Sequence, residues 1–164
     1  MDALIEKART MAASVHAEQR YGEQPYTVHL AAVVAVMTRF GVTDPALLAA
    51  GWMHDAVEDT ALTRAAVVEA LGERVAALVD AVTDGPGGNR ATRKARPYRL
   101  IPQVPGAVVV KLADRIANVE SAQASRPGLL AMYAREHGSF RRKLCQPGEA
   151  EEMWAHLDAL LGGQ

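Results

Sequence analysis

A single cysteine, Cys145, is all the thiol this chain has, which excludes an internal disulfide, and the absence of any Cys-x-x-Cys or Cys/His cluster argues against a thiolate zinc site. A reducing compartment, the cytoplasm, is the expected setting. Charge of either sign is also without excess: 18 Lys plus Arg stand against 19 Asp plus Glu, a formal charge of −1. No whole-molecule field therefore draws the chain to a nucleic-acid polymer or an anionic membrane, and an anionic ligand requires a local basic patch. Long apolar runs are missing too. No stretch reaches the roughly 18 uncharged apolar residues of a membrane span, and the opening MDALIEKARTMAASVHAEQR is charged throughout, with no apolar core of signal-peptide length. The expectation is a soluble, unexported protein without a membrane partner.

What is present is a large apolar share, 49% of 164 residues, enough for one substantial core and hence one expected domain over residues 1–164. Leu4, Ile5, Ala8, Met11, Ala12 and Val15 recur at three- and four-residue steps and predict a first helix to about residue 20. Gly22 and Pro25 interrupt it. A second helix is predicted from Tyr26 to Phe40, with His29 near its start and Gly41 as its stop. Thr43 or Asp44 can cap a third helix over 45–58, with Pro45 in the first turn and AAGWMHDAVE offering almost no exposed-type face, so this helix is expected to be central. Two short amphipathic helices jointed near Gly72 follow. Residues 84 to about 104 hold Gly85, Pro86, Gly87, Gly88, Pro97, Pro102 and Pro105 and read as a long irregular stretch with at most one helical turn. Three further helices are predicted in AVVVKLADRIANVESAQ, LLAMYAREHGSFRRKL and EAEEMWAHLDALL, and no alternating strand pattern is found.

At the end of the buried-type helix stand His54, Asp55, Glu58 and Asp59, four ionisable groups in six positions. Burying unpaired charge costs several kcal/mol, so such a cluster binds a metal, pairs internally or moves protons. On a continuous helix the spacings His54/Glu58 and Asp55/Asp59 are i,i+4, which brings side chains together near its C-terminus. Further ligands are required from elsewhere. His29 and Asp114 are the candidates, Asp114 because it interrupts the apolar face of KLADRIAN. Two imidazoles and two carboxylates suit manganese, iron or zinc better than magnesium. Tetrahedral zinc would be closed by four protein ligands, whereas a six-coordinate ion keeps about two positions open for water and a phosphate oxygen, and the open case is the expected one.

His29, His54-Asp55 and Asp114, in this order, resemble the metal ligands of the HD-domain phosphohydrolases, and more narrowly the RelA/SpoT-type alarmone hydrolase domain. The matching pieces are PYTVH ending at His29, HDAVEDT from His54, VTD followed by RATRKAR, and KLADRIANV from Lys111, together spanning roughly residues 3–123. The resemblance implies an all-α fold, a compact multi-helix HD-domain bundle with the metal site between helices. It also implies manganese as the ion, Glu58 and Asp59 as the acidic pair beside the attacking water, and Asn118 near a nucleotide. The implied reaction is removal of a 3′-diphosphate from guanosine 3′,5′-bis(diphosphate).

Phosphate recognition has a candidate in RATRKARPYR, where Arg90, Arg93, Lys94, Arg96 and Arg99 occur without an acidic residue. Lys111 and Arg115 add positive charge beside Asp114. Alarmone hydrolases carry a richer basic run before the metal histidine, whereas this chain has only Arg20 ahead of Tyr21-Gly22-Glu23-Gln24-Pro25. The substrate-binding set is therefore Arg20, Arg93, Lys94, Arg96, Lys111 and Asn118. His16, His137 and His156 lack partners at ligand spacing and read as structural or surface residues; Trp52 reads as core beside the site and Trp154 as part of the last amphipathic helix. Two other functions stay open at this point. One is a nucleotidase acting on another phosphorylated nucleotide or metabolite; the other is a metal-stabilised module that senses a nucleotide without cleaving it, against which the retained Glu58 and Asp59 argue.

Overall fold

The computed structural model describes residues 2–162; Met1, Gly163 and Gln164, which complete the expected 1–164 domain, lie outside the described residues. Helix α1 (Ala3–Val15) is capped by Asp2, whose carboxylate accepts from Leu4 N–H at 2.8 Å. A small antiparallel hairpin, β1 (Arg20–Tyr21) with β2 (Gln24–Pro25), leads into α2 (Thr27–Arg39). Its strands are too short to leave an alternating pattern, and its turn uses Gly22 at φ +64°, a left-handed conformation that costs glycine little. The first helix thus stops at Val15, short of the expected residue 20, and Arg20 belongs to the hairpin.

Helix α3 (Pro45–Met53) begins where Asp44 accepts from Ala46 N–H at 2.9 Å, with Pro45 in the first turn, and no residue of it is exposed. It does not run to residue 58 as expected. The carbonyl of Gly51 takes the His54 ring nitrogen Nδ1 at 2.9 Å, which competes with the main-chain donor that would continue the helix, and the chain turns through His54 and Asp55 before a single further turn, α4 (Ala56–Asp59). Helices α5 (Arg64–Leu71) and α6 (Glu73–Val82) meet at Gly72, as the pattern predicts.

The stretch read as irregular contains an eleven-residue helix, α7 (Arg90–Leu100), followed by a 3-10 turn at Ile101–Gln103. Asn89 caps it, accepting from Thr92 N–H at 2.9 Å. Pro97 is tolerated inside because the Arg93 carbonyl, four residues earlier and deprived of its usual donor, accepts instead from Gly85 N–H at 2.9 Å. That bond also ties the glycine-rich segment to the helix.

Helix α8 (Ala107–Ser125) packs against α2, α3, α6, α9 (Pro127–Leu144) and α10 (Glu151–Gly162), while α1 covers α3. Its Val108, Val110, Leu112, Ile116 and Val119 are buried, each worth about 1.5–3 kcal/mol of apolar transfer. The buried apolar residues form one contiguous core from Ala8 to Leu161. Gly51 lets α3 approach α2 closely: a Cβ there would stand 2.7 Å from the sulfur of Met37. Among the described residues no helix is long and apolar enough to cross a membrane.

Candidate metal centre and its cavity

Three helices deliver the four candidate ligands to one point. His29 sits in the first turn of α2, His54 and Asp55 in the turn between α3 and α4, and Asp114 midway along α8. His54 Nε2 lies 3.3 Å from His29 Nε2, 2.9 Å from Asp55 Oδ2 and 3.6 Å from Asp114 Oδ1. His29 Nε2 lies 3.7 Å from Asp55 Oδ2 and 3.4 Å from Asp114 Oδ1. Ligand atoms about 2.0–2.2 Å from a common ion are separated by about 3 Å or slightly more, so His29, His54 and Asp55 form a cluster that could hold a divalent cation with mixed N/O donors, and Asp114 borders it through both imidazoles. Both histidines are nearly fully buried.

Outer contacts orient each ligand. The Nδ1 of His54 is engaged by the Gly51 carbonyl, which leaves Nε2 to face the site. Tyr26 donates its hydroxyl to Asp55 Oδ2 at 2.5 Å; Asn118 donates to Asp114 Oδ1 at 2.6 Å and Lys111 to Asp114 Oδ2 at 3.3 Å. The electrostatics call for positive charge. Burial, the largest influence on His54, disfavours its charged form, yet Asp55 and Asp114 together hold it well above the ordinary histidine value. Burial likewise pushes the carboxylates up, but His54 brings Asp55 down to about 2, and Lys111 with the two imidazoles holds Asp114 well below the usual range. The carboxylates of Asp55 and Asp114 thus favour positive charge beside them, which a bound cation would supply.

Beside the ligands lie the acidic pair. Glu58 Oε2 accepts from Asp84 N–H at 2.9 Å, and burial raises its pKa above the ordinary value despite that bond. Asp59, at the end of α4, is exposed and accepts from Gln19 Nε2 at 2.8 Å. Both border a cavity of about 180 Å³ that also contains Asp55, Asp114 and His29. The lining also includes four cationic side chains, Arg90, Lys94, Lys111 and Arg115, with Asn118 and Tyr133. Lys94 pairs with Asp84 at 2.9 Å, Arg90 and Arg115 share Glu136 at 2.6 and 3.2 Å, and the Arg115 guanidinium lies over the Tyr133 and Phe140 rings at 4.6 and 4.4 Å. A cavity lined by carboxylates, an imidazole and four cations suits a phosphate ester held against a metal.

Of the substrate-binding set, Lys94, Lys111 and Asn118 line the cavity. Arg93, Arg96 and Arg20 do not. Arg96 ties down the end of α6, donating to the carbonyls of Asp80 and Thr83 at 2.5 and 3.0 Å and to Asp80 Oδ1 at 2.8 Å. Arg93 stands 4.0 Å from Asp84, and Arg20 is exposed on the hairpin. Sequence reasoning missed Tyr26, Gln19 and Tyr133. Tyr26 is three residues before His29, a same-face spacing that could have found it; Tyr133 comes from a separate amphipathic helix and leaves no local signal. His137 and His156 bond Asp158 and Glu120 at 2.7 and 2.9 Å, away from the cavity. Trp52 is half-buried against the core and Trp154 is buried.

The HD-domain model of protein families matches residues 8–98. A probable guanosine-3′,5′-bis(diphosphate) 3′-pyrophosphohydrolase of Synechocystis is 33% identical over 141 residues, covering 81% of this chain but 18% of that protein. The mouse guanosine-3′,5′-bis(diphosphate) 3′-pyrophosphohydrolase MESH1 is 35% identical over 126 residues, 74% of this chain and 70% of its own length. Among solved structures, a metazoan ortholog of SpoT that hydrolyses ppGpp superposes with a TM-score of 0.85 at 25% identity, over 99% of this chain and 96% of that one.

Proposed function

The chain belongs to the HD-domain family, and from that premise we propose that it is a metal-dependent hydrolase that removes pyrophosphate from the 3′ position of guanosine 3′,5′-bis(diphosphate). The observation that carries the reading is one cavity lined both by His29, Asp55, Asp114 and Glu58 and by Arg90, Lys94, Lys111 and Arg115, with His54 buried directly behind Asp55 and Asp114. The names of the relatives supply the nucleotide.

His29, His54, Asp55 and Asp114 are the residues that would hold the ion, and their N/O donor set supports manganese. Such an ion supplies Lewis-acid activation of water and neutralises charge on the phosphate. Glu58, whose pKa is raised, is suited to take the water proton, with Asp59 orienting the water from the rim. The water oxygen bonds to the phosphorus attached to the ribose 3′ oxygen, the bond between that phosphorus and the 3′ oxygen breaks, and the 3′ oxygen takes a proton. GDP and pyrophosphate leave. Lys94, Lys111, Arg90 and Arg115 would hold the diphosphate oxygens, and Asn118, which lines the same cavity, would contact the nucleoside. Arg20, Arg93 and Arg96 would serve the substrate only from outside this cavity. The residues 1–164 act as one HD-type unit in this reading, and the lone Cys145 supports a cytoplasmic setting.

The test is product analysis with added manganese across a nucleotide panel. Release of intact pyrophosphate from guanosine 3′,5′-bis(diphosphate) is expected. Inorganic phosphate from nucleoside monophosphates, without pyrophosphate, would replace this reading with the nucleotidase; tight binding without turnover would replace it with the sensor.

A further inference from the structure

Gln19 lies outside every motif that marks the site, yet all its polar groups are engaged. Its main-chain N–H donates to the His16 carbonyl at 3.0 Å and its carbonyl accepts from Tyr26 N–H at 3.1 Å. Its side-chain Oε1 meets His16 Nδ1 at 2.5 Å, and Nε2 donates to Asp59 Oδ2 at 2.8 Å. The last contact sets the rest. A carboxylate only accepts, so the amide must present nitrogen to Asp59 and oxygen to His16, and His16 must carry its proton on Nδ1. His16 itself is buried, 2% exposed, and stacks on Tyr26 with ring centroids 4.9 Å apart.

Asp59, by contrast, has little of its own to hold it. It is exposed, it ends a one-turn helix, and among the described residues its other oxygen, Oδ1, makes no hydrogen bond. Fixing Oδ2 leaves Oδ1 for the cavity that Asp59 borders. A carboxylate free to rotate would present the required geometry only part of the time, and misplacement by about 1 Å can cost roughly 100-fold in rate.

We propose that Gln19 is a positioning residue: its amide, oriented by His16, fixes the Asp59 carboxylate at the mouth of the metal cavity. The proposal rests on the reading that Asp59 serves the hydrolysis. It is tested in the full chain with manganese added, by a double-mutant cycle of Gln19→Met and Asp59→Asn read as kcat and KM for pyrophosphate release, with manganese content and Tm measured on each variant. Gln19→Met is expected to keep its manganese, to lower kcat roughly 10- to 100-fold with KM within about twofold, and to add no further loss on top of Asp59→Asn. Losses that multiply in the double variant, or a raised KM at unchanged kcat, overturn it. A normal kcat in Gln19→Met beside an impaired Asp59→Asn overturns the proposal alone. A normal kcat in Asp59→Asn, or a wild type without turnover, overturns the underlying reading and this proposal with it. If Gln19→Met does not fold, Gln19→Glu keeps the size, replaces the donor with a second carboxylate and is judged by the same outcomes.

Discussion

The imidazole of His54 and the carboxylate of Asp55 meet at 2.9 Å, Nε2 to Oδ2, although the two residues are adjacent in the chain. On an uninterrupted helix neighbours point about 100 degrees apart. Both keep right-handed helical dihedrals, so the contact is made by side chains of unlike length bending to their shared edge, and the packing of α2 and α8 brings His29 and Asp114 beside them. The ligand set is therefore a product of the tertiary fold, in which each member balances buried charge on the others.

Removing one ligand should consequently abolish metal binding. His54→Ala and Asp114→Ala are each expected to lose stoichiometric metal when purified without chelator, because the remaining groups are left uncompensated. In the wild type, free metal a hundredfold above its dissociation constant should stabilise the fold by about 2.7 kcal/mol, read as a rise in Tm that chelator reverses. Either variant retaining a full equivalent of metal would reject the site.

Glu58 gives a prediction with a sign in pH. Burial raises its pKa above the ordinary 4.5, and the base must be ionised to accept a proton, so turnover should fall as pH drops through that raised value. The acid limb is expected above the usual glutamate range. Glu58→Gln should keep metal and Tm but lose roughly 100-fold or more in kcat. Wild-type turnover in Glu58→Gln would remove Glu58 from the proton transfer.

The candidate ligands stand out in the sequence because His54, Asp55 and Asp114 interrupt apolar runs, a costly arrangement visible in one dimension. Helices α1, α2 and α8 were legible by periodicity, and the α5–α6 joint by Gly72. Helix α7 was not, since Pro97 and the glycines before it mimic a loop; the bond from Gly85 N–H to the Arg93 carbonyl that makes the proline harmless is tertiary. The break after Met53 was hidden for a similar reason, being made by the His54 ring on the Gly51 carbonyl. Tyr133 and Glu136 sit on ordinary amphipathic positions of α9, and Gln19 in the loop between α1 and β1, where a polar residue carries no local penalty to notice.

Gly51 is expected to be intolerant of a methyl group. A Cβ would stand 2.7 Å from Met37 Sδ and 3.2 Å from Val34, so Gly51→Ala must displace the buried Met37 side chain or α2 itself, the helix that carries His29. A loss of about 1–3 kcal/mol is expected from such overpacking, measured by denaturant unfolding of the metal-free protein. Metal affinity should fall as well if the shift reaches His29. An unchanged unfolding midpoint would mean that Met37 swings aside at no cost.

The basic helix α7 separates two residues that the sequence presents as equivalents. Lys94 lines the cavity and Arg93 does not, although they are neighbours and both face Asp84, at 2.9 and 4.0 Å. If the cavity wall binds the diphosphate, Lys94→Glu should raise KM for guanosine 3′,5′-bis(diphosphate) strongly, because it removes a direct partner, repels the phosphate and sets a carboxylate against Asp84. Arg93→Glu changes the net charge by the same amount from outside the wall, so its effect should be smaller and mainly long-range. Salt distinguishes the two. A long-range contribution is screened beyond about 8–10 Å at physiological ionic strength, so the Arg93→Glu defect should shrink as salt rises, whereas most of the Lys94→Glu defect should persist. Michaelis constants measured for both variants at low and high salt, with Tm checked for each, give the comparison. Equal defects that vanish together at high salt would mean that α7 acts only as a diffuse positive surface and that Lys94 makes no contact with the substrate.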